Sequence, residues 1–348
     1  MKNNWERRWH PLLQEWVVIS ARTADRPWSG SVLNTEADIL PSFDENCYLC
    51  PGVKRASGEV NPHYMEPFAF NNDFPSFALN APFTDYKSNF QITEPATGIC
   101  RVLCFSPLHN LTLAEMAVKD IEKVILLWKD EFETLSANPE IKNILIFENK
   151  GKCIGTSNPH PHGQIYATSY IPKNVLLELN SQSDYKKNHN NSLLSDLLEN
   201  ELRLNERIVC YNNHFVAFVP YFARFAFESW IVPRRNVARI TDLTKEEILA
   251  LADIYQRMLV RYDNLFNMSF PNITILYNAP VYKSIKDGDF VFHIEFYPPL
   301  RSPDTLKYLA GFETGGGNII NPVMPEDAAA RLKAANEIHY KNLKNEII

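Results

Sequence analysis

An internal repeat constrains the fold of this chain more than any other feature. The segment NILIFENKG at 143–151 aligns with NITILYNAP at 272–280, an offset of 129 residues. At nearly the same offset, CFSPLHNLTLAEM (104–116) resembles WIVPRRNVARITDLTKEEI (230–248). Each copy has the pattern of a strand, a proline-marked turn and a helix that starts at a Thr-x-x-Glu capping box. The repeat therefore predicts two halves of similar design.

The spacing of apolar residues predicts which elements each half contains. Behind the capping boxes at Thr112 and Thr244, apolar residues recur every three or four positions, which indicates one long amphipathic helix per half. Apolar strands at 144–147 and 273–276 follow those helices. Short turns between strands favour antiparallel pairing. The predicted fold class is α+β, with two halves that each combine a mostly antiparallel sheet with a long helix.

The polarity of the chain suggests where the halves are joined. We expect an N-terminal half at 1–178 and a C-terminal half at 197–348. The segment 179–196 is rich in Asn and Ser, and we expect it to be a polar connection that forms a loop or an exposed link. A surface helix is predicted to begin near Pro325.

Composition excludes several classes of function. Of 348 residues, 45% are hydrophobic and 22% charged, as in a globular protein with a sizeable core. The net charge of -6 and the absence of a long basic run argue against a nucleic-acid partner. The N-terminus lacks the apolar segment of a signal peptide, and no run of about 18 apolar residues predicts a membrane span. Six cysteines do not make a disulfide framework in so long a chain, so we expect a cytoplasmic protein with reduced thiols.

Cys47 and Cys50 form a C-x-x-C pair in the sequence CYLCPG. Such a pair can be redox-active, but the Pro-Gly turn that follows replaces the helix a thioredoxin-like motif needs. Two thiolates can instead bind zinc when two further ligands are present, and His109 and His160 are candidates. The alternative is that both cysteines are small buried apolar residues.

The segment GTSNPHPHGQI carries His160 and His162 two residues apart. In extended backbone, side chains two apart point to the same face, and the intervening proline disfavours helix. Both rings could bind a metal, or one could hold the segment while the other attacks phosphorus as a neutral imidazole. A third possibility is a strand edge whose histidines only contact backbone carbonyls.

Small and polar residues surround the two histidines. Gly163 allows close approach of a ligand, and the Gln164 amide can donate to a phosphate oxygen. A loop of small residues upstream offers amides and hydroxyls that could bind phosphate. The loop residues are Gly151, Gly155, Thr156 and Ser157.

The nonapeptide SNPHPHGQI resembles the active-site motif of the galactose-1-phosphate uridylyltransferases, a branch of the histidine-triad superfamily. The resemblance implies that both α+β halves are histidine-triad-like (HIT-like). Further segments resemble that family in the same order, over nearly the whole chain. They are RPWSG (26–30), CYLCPG (47–52), FNNDFPSF (70–77), RVLCFSPLHNLTL (101–113), FENKG (147–151), RITDLT (239–244), RYDNLF (261–266) and FYPPLRS (296–302).

The resemblance implies a reaction in two displacements. A histidine, here His162, attacks the α-phosphorus of UDP-glucose and releases glucose 1-phosphate. Galactose 1-phosphate then takes the uridylyl group and leaves as UDP-galactose. Gln164 matches the glutamine that bonds the phosphoryl oxygen, and Ser157 matches the phosphate-binding serine. Thr156 stands where many members have cysteine.

The resemblance also implies ligands for a metal and for the substrates. Cys47, Cys50, His109 and His160 match the four zinc ligands, although iron would accept the same set. The resemblance implies that Asn72 and Asp73 contact the uridine and ribose, that Asn149 makes another nucleotide contact, and that Arg26 binds phosphate. Residues implied to act across a homodimer interface, in shared active sites, are Arg26 with Arg22, Lys307, Phe312 and Glu313.

Two features depart from the family pattern. Some members have a second metal site of one glutamate and three histidines; Glu178 and His293 match, whereas Tyr277 and Glu295 replace two histidines. We therefore predict that this second site is empty or weak. The glycine-rich tail GFETGGGNIINPV (311–323) lacks a glutamine that contacts the hexose, and Asn318 is the candidate replacement.

Three alternatives remain open at this point. The first is a nucleotidyltransferase or phosphorylase of the same family that uses ADP-glucose. The second is a histidine-triad hydrolase, although those enzymes have a third histidine at the position of Gln164. The third is a zinc-stabilised nucleotide-binding module in which His162 is idle.

Overall fold

A computed structural model describes residues 5–20, 40–83, 88–281, 285 and 288–343 of the chain. Arg22 and Arg26 lie outside these residues. The strands are β1 (Trp5–His10), β2 (Glu15–Ser20), β3 (Phe68–Asn71), β4 (Gly98–Cys104), β5 (Asn143–Lys150), β6 (His162–Thr168), β7 (Ile208–Tyr211), β8 (Phe215–Phe218), β9 (Ser229–Pro233), β10 (Asn272–Tyr277), β11 (His293–Tyr297), β12 (Leu300–Ser302), β13 (Thr305–Leu306) and β14 (Ile320–Asn321). The helices are α1 (Val118–Ser136), α2 (Lys173–His189), α3 (Leu193–Leu204), α4 (Lys245–Phe266), α5 (Gly311–Gly316), α6 (Pro325–Ala334) and α7 (Tyr340–Leu343).

Nine strands form one continuous sheet in the order β3-β4-β6-β5-β10-β11-β9-β8-β7. Every pairing in it is antiparallel. The first half contributes β3 to β6 and the second contributes β7 to β11, and the halves join where β5 pairs with β10. The α+β class and the antiparallel sheets predicted from sequence are confirmed. The sequence predicted one sheet in each half, but the pairing of β5 with β10 joins the two into a single sheet.

The long helices α1 and α4 pack against each other and cover one face of this sheet. Trp128 of α1 and Tyr255 of α4 are in contact, with 5.7 Å between their ring centroids. The apolar faces of both helices form one hydrophobic core with the strands that they cover. In β6, Ile165 and Ala167 point into that core while His162 lies on the opposite face, because side chains alternate along a strand.

The two capping boxes behave differently. Thr244 and Glu247 cap α4 reciprocally, as predicted. Thr112 does not start α1, because its hydroxyl bonds the Glu115 carboxylate at 3.1 Å rather than accepting a backbone N–H. Residues 113–115 form a 3₁₀ turn, and α1 begins only at Val118.

The expectation of a loop at 179–196 is wrong. Most of it is helical, in α2 and in α3, whose N-terminus is capped by the Ser192 hydroxyl. The buried stripe of α2 is partly polar and includes Glu178 and Gln182, and Gln182 accepts a hydrogen bond from the Val291 amide at 2.9 Å. A buried stripe that contains polar residues gives little apolar periodicity, so the sequence pattern missed it.

The C-terminal helix α6 begins at Pro325, as predicted. It is not wholly a surface helix, since Ala328, Ala329 and Leu332 are buried in the main core. Among the described residues, no helix is both long enough and apolar enough to cross a bilayer.

Candidate active site and metal centre

Four residues from three separate segments converge on one buried point. Cys47 and Cys50 lie in a turn closed by a bond from the Cys50 amide to the Cys47 carbonyl, at 3.0 Å. His109 follows β4, and His160 precedes β6. One donor atom from each of the four lies within 4.8 Å of all the others. The predicted ligand set is therefore brought together.

The spacing of these atoms fits a tetrahedral metal. The Cys50 Sγ lies 3.7 Å from the Nδ1 atom of His109 and 3.6 Å from that of His160. Zinc bonds of about 2.3 Å to sulfur and 2.1 Å to nitrogen place such atoms about 3.6 Å apart. Burial raises the pKa of the Cys50 thiol to about 11, and neighbouring Cys47 adds to this effect. A bound cation would stabilise the thiolate form of the pair.

The His160 ring is oriented by its other nitrogen. Its Nε2 donates to the Ser106 carbonyl at 2.9 Å, and the Tyr64 hydroxyl lies 3.2 Å away. Nδ1 is thus left unprotonated and faces the cysteines. Burial lowers the pKa of His160 to about 4. A neutral imidazole fixed by an outer hydrogen bond is the form that binds a metal.

His162 stands at the first position of β6, where the chain leaves the loop of 156–161. Its Nδ1 donates to the backbone carbonyl of His160 at 2.7 Å, so Nε2 carries the free lone pair. Burial lowers the pKa of His162, against a smaller opposing effect of that carbonyl. The ring is therefore neutral near pH 7 and can act as a nucleophile.

A cavity opens beside His162 and brings several of the predicted residues together. Thr156 is fixed there by a bond of 2.6 Å from its hydroxyl to the Asn149 carbonyl. The predicted residues that line the cavity are Asn149, Gly151, Thr156, Ser157, His160 and His162. Gly155 adjoins this lining in the left-handed conformation (φ 86°). Gln164 lies two residues after His162 on the same face of β6.

Asn72 and Asp73 do not line this cavity. They follow β3, and the Asn72 side chain accepts the Phe74 amide at 2.9 Å. Asp73 is paired with Arg55 at 3.3 Å. The structure thus places both at the β3 edge of the sheet, held by local contacts.

The C-terminal candidates form a separate group. Lys307 pairs with Glu313, which also accepts the Ile320 amide at 2.9 Å. Phe312 is 60% exposed, and the Asn318 amide donates to the Trp16 carbonyl at 3.2 Å. None of Lys307, Phe312, Glu313 and Asn318 lines the cavity at His162.

A second buried cluster contains Glu178, His293 and Glu295. The His293 Nε2 lies 3.4 Å from Glu178 and 3.2 Å from Glu295. Burial opposes a charge on His293, but the two carboxylates outweigh it and raise the pKa of His293 to about 10. The Tyr277 ring stacks on His293 at 4.9 Å and 7°, and its hydroxyl lies 3.3 Å from that of Tyr297.

Asn158 and Glu148 are among the cavity residues to which the sequence gave no role. Asn158 lies within the quoted motif, and its side chain contacts Cys47. Glu148 shares the inner face of β5 with Ile146, has one oxygen without a hydrogen-bond partner, and lines the cavity. Glu148 follows Ile144 and Ile146 at alternate positions of the strand, and this spacing could have predicted a buried carboxylate.

Comparison with known proteins gives a consistent result. Residues 1–172 match the model of the galactose-1-phosphate uridyl transferase N-terminal domain, and residues 178–344 match that of the C-terminal domain. The galactose-1-phosphate uridylyltransferase of Haemophilus influenzae is 41% identical over 338 residues, covering 96% of this chain and 95% of that protein. The rat enzyme of the same name is 38% identical, covering 96% and 88%.

Solved structures agree with the fold. A uridylyltransferase structure superposes with a TM-score of 0.76 at 27% identity, covering 94% of this chain and 97% of that one. An ADP-glucose phosphorylase from Arabidopsis thaliana with bound ADP-glucose superposes with a TM-score of 0.77 at 21% identity, covering 96% and 100%. The latter likeness establishes the fold alone.

Proposed function

The chain belongs to the galactose-1-phosphate uridylyltransferase family, and on this premise we propose that it transfers UMP through a covalent intermediate on His162. Its relatives identify it as a nucleotidyltransferase of galactose metabolism, acting between UDP-glucose and a hexose 1-phosphate. The observation that carries the covalent route is the bond of 2.7 Å that directs Nε2 of His162 away from the chain.

In the first step, the Nε2 lone pair attacks the α-phosphorus of UDP-glucose. A P–N bond forms, and the P–O bond to glucose 1-phosphate breaks with its electron pair on the leaving phosphate. The Nδ1 proton stays in place, so the uridylylated ring is positively charged, and the His160 carbonyl stabilises that charge. In the second step, a phosphate oxygen of galactose 1-phosphate attacks the same phosphorus and breaks the P–N bond, giving UDP-galactose.

The residues around His162 have simple supporting roles in this scheme. Ser157 and Gln164 donate to the non-bridging oxygens of the α-phosphate, where negative charge develops. The leaving and attacking groups are both phosphates, which need no strong general base. Asn149, Thr156 and Gly155 shape the site for the nucleotide, with Asn72 and Asp73 on the uridine side. Lys307, Phe312, Glu313 and Asn318 serve the sugar phosphate.

We assign zinc to Cys47, Cys50, His109 and His160. With four protein ligands such an ion has no open position, and what it supplies when bound is a rigid anchor for the segment that carries His162. The cluster of Glu178, His293 and Glu295 offers only three donors, and the stacked Tyr277 fills the side of His293. We therefore assign no tightly held metal to it.

We further propose a cytoplasmic homodimer in which Arg26, with Arg22, enters the site of the partner. A mixture of His162→Gly and Arg26→Ala proteins tests this, since a hybrid dimer holds one intact site. Activity recovered on mixing two inactive proteins supports shared sites. Two inactive proteins that stay inactive after verified subunit exchange contradict them.

The covalent route is tested by intact mass after mixing the protein with UDP-glucose or ADP-glucose, without acceptor. We expect a gain of one uridylyl group with UDP-glucose alone, absent in His162→Gly and discharged by galactose 1-phosphate. An adenylyl adduct would assign the protein to the ADP-glucose reaction instead. No adduct with either nucleotide would contradict the covalent route and favour a nucleotide-binding module.

A further inference from the structure

Asn158 links the metal ligands to the segment that carries His162. Its side chain is buried, with 6% exposed. The Nδ2 atom lies 3.2 Å from the Cys47 Sγ, and Oδ1 accepts the His160 amide at 3.0 Å. One amide group therefore touches two of the four metal ligands, which lie 113 residues apart in the chain.

The orientation of this amide follows from its partners. The His160 backbone N–H is a donor, so the atom facing it must be the oxygen, and the NH₂ group then faces sulfur. An N–H that points at sulfur suits a thiolate, which accepts hydrogen bonds far better than a thiol does. The Cys47 sulfur also lies 3.5 Å from Oδ1, but the amide nitrogen is the nearer atom and is the contact that a metal-bound sulfur can accept.

The segment of 156–161 has few other restraints. It forms neither helix nor strand, and Pro159 and Pro161 have no amide to donate. Among the described residues, its other polar anchors include the Thr156 hydroxyl on Asn149 and the Pro161 carbonyl, which accepts the Phe105 amide at 2.9 Å. The His160 ring also contacts Ser106, Tyr64 and Cys50. Asn158 ties this segment to the C-x-x-C turn at Cys47, and the His160 ring ties it at Cys50.

We propose that Asn158 is a positioning residue that couples occupancy of the metal centre to the placement of Ser157 and His162. It contacts the Cys47 sulfur through Nδ2 and fixes the backbone of His160 through Oδ1. Because the His160 carbonyl orients His162, a shift at Asn158 reaches the nucleophile through one residue. This inference rests on the proposed metal site and covalent route.

Two substitutions separate the two bonds. Asn158→Asp keeps an oxygen for the His160 amide but places a second acceptor beside the Cys47 sulfur, where a carboxylate repels the thiolate. Asn158→Ala removes both bonds. Asn143→Ala is the matched control, because Asn143 is equally buried but lies at the far end of β5, outside the metal cluster.

The first measurement is the rate at which a chromogenic chelator removes zinc. Loss of outer hydrogen bonds to metal ligands typically weakens binding about 10–100-fold. We expect Asn158→Asp and Asn158→Ala to release zinc faster by such a factor, while Asn143→Ala releases it at the wild-type rate. In cobalt-substituted protein, the sulfur-to-cobalt absorption band should shift in both Asn158 variants and not in the control.

The second measurement is the single-turnover rate of uridylyl adduct formation at saturating UDP-glucose. We expect it to fall at least about 10-fold in Asn158→Ala, with a smaller change in the UDP-glucose concentration for half-saturation. Partial zinc removal should slow the wild-type reaction in proportion to the zinc lost. It should leave the residual rate of Asn158→Ala nearly unchanged, since the metal centre no longer positions His162 through residue 158 in that variant.

The outcomes distinguish this inference from the proposed function. If the wild-type protein binds zinc and forms the adduct but both folded Asn158 variants match it in zinc release and cobalt spectrum, the inference is wrong. If the wild-type protein itself holds no zinc, or forms no adduct, the proposed function fails first. Should Asn158→Ala not fold, the near-isosteric Asn158→Asp still decides through zinc release and the cobalt band.

Discussion

The Nδ1 atom of His162 lies 2.7 Å from the main-chain carbonyl oxygen of His160. The same residue that faces the cysteines with its ring thus orients the nucleophile with its backbone. The three consecutive residues His160, Pro161 and His162 therefore carry both a metal ligand and the aligned nucleophile.

Substitution of Gly163 by alanine should displace the nucleophile strand. A Cβ at this position would lie 2.6 Å from the Phe105 ring and 2.9 Å from the Phe147 carbonyl oxygen. Overpacking of this kind costs about 1–3 kcal/mol. We expect a lower unfolding midpoint in urea and a slower adduct formation. Gly315→Ala, where no atom lies within 4 Å of the added carbon, is the control for stability, and equal midpoints in both variants would contradict the prediction.

Loss of one cysteine ligand should release the metal. We expect Cys50→Ser to reduce zinc from one equivalent per chain to nearly none, to lower the melting temperature and to abolish adduct formation. Elemental analysis after gel filtration measures the zinc. Cys100→Ser is the control, because Cys100 is a buried free thiol outside the cluster. Full zinc occupancy in Cys50→Ser would show that the ligand set is wrong.

Glu148 should make stability fall as pH rises. Burial raises the pKa of this carboxyl to about 7 from its ordinary value, partly offset by Lys150. An acid with a raised pKa in the folded state destabilises that state progressively as pH rises from about 4.5 to 7, and by a constant amount above. At about 1.4 kcal/mol per pKa unit, we expect Glu148→Gln to be more stable than wild type by up to about 3 kcal/mol at pH 8.

The same pair of proteins should differ little at pH 4.5, where the carboxyl is protonated in the folded state and about half protonated in the unfolded state. Urea unfolding at several pH values measures the difference. A stability difference that does not change between pH 4.5 and 8 would contradict a raised pKa for Glu148.

The cluster at His293 should hold no tightly bound metal. We expect the wild-type chain to contain one metal ion, at the cysteines, because Tyr277 and Glu295 do not supply imidazoles. A variant with Tyr277→His and Glu295→His presents one carboxylate and three imidazoles, which suit a divalent transition metal. It should bind up to one further ion. Two tightly held ions in the wild-type chain would refute this.

The sequence predicted those elements whose signals are local and strong. The strand now seen at Asn143–Lys150 had a continuous apolar run, and α4 had a capping box that the structure confirms. The helix at Lys173–His189 was missed because its buried stripe includes Glu178 and Gln182, so its pattern resembled a loop. Burial of polar residues depends on distant partners such as the Val291 amide, which no local pattern reveals.

For the site, sequence pattern proposed the four clustered ligands and left open which histidine was the nucleophile; the family resemblance named His162. The contact between Asn158 and Cys47 joins residues 111 positions apart, and the repeat gives no hint of it. The β5–β10 junction is likewise a long-range pairing. Local runs of apolar residues predict where strands occur, whereas the order of strands in the sheet depends on packing of the whole chain.

The junction of β5 and β10 has an evolutionary meaning. Ile146 pairs with Leu276, which is the repeat counterpart of Phe147, and Phe147 pairs with Ile275, the counterpart of Ile146. This reciprocity is that of a twofold dimer interface, but here both copies belong to one polypeptide. In a true dimer every substitution occurs twice, whereas in this fused pair each copy can change alone. The first copy thus keeps the His162 imidazole at an open cavity, whereas the second encloses His293 between Glu178 and Glu295.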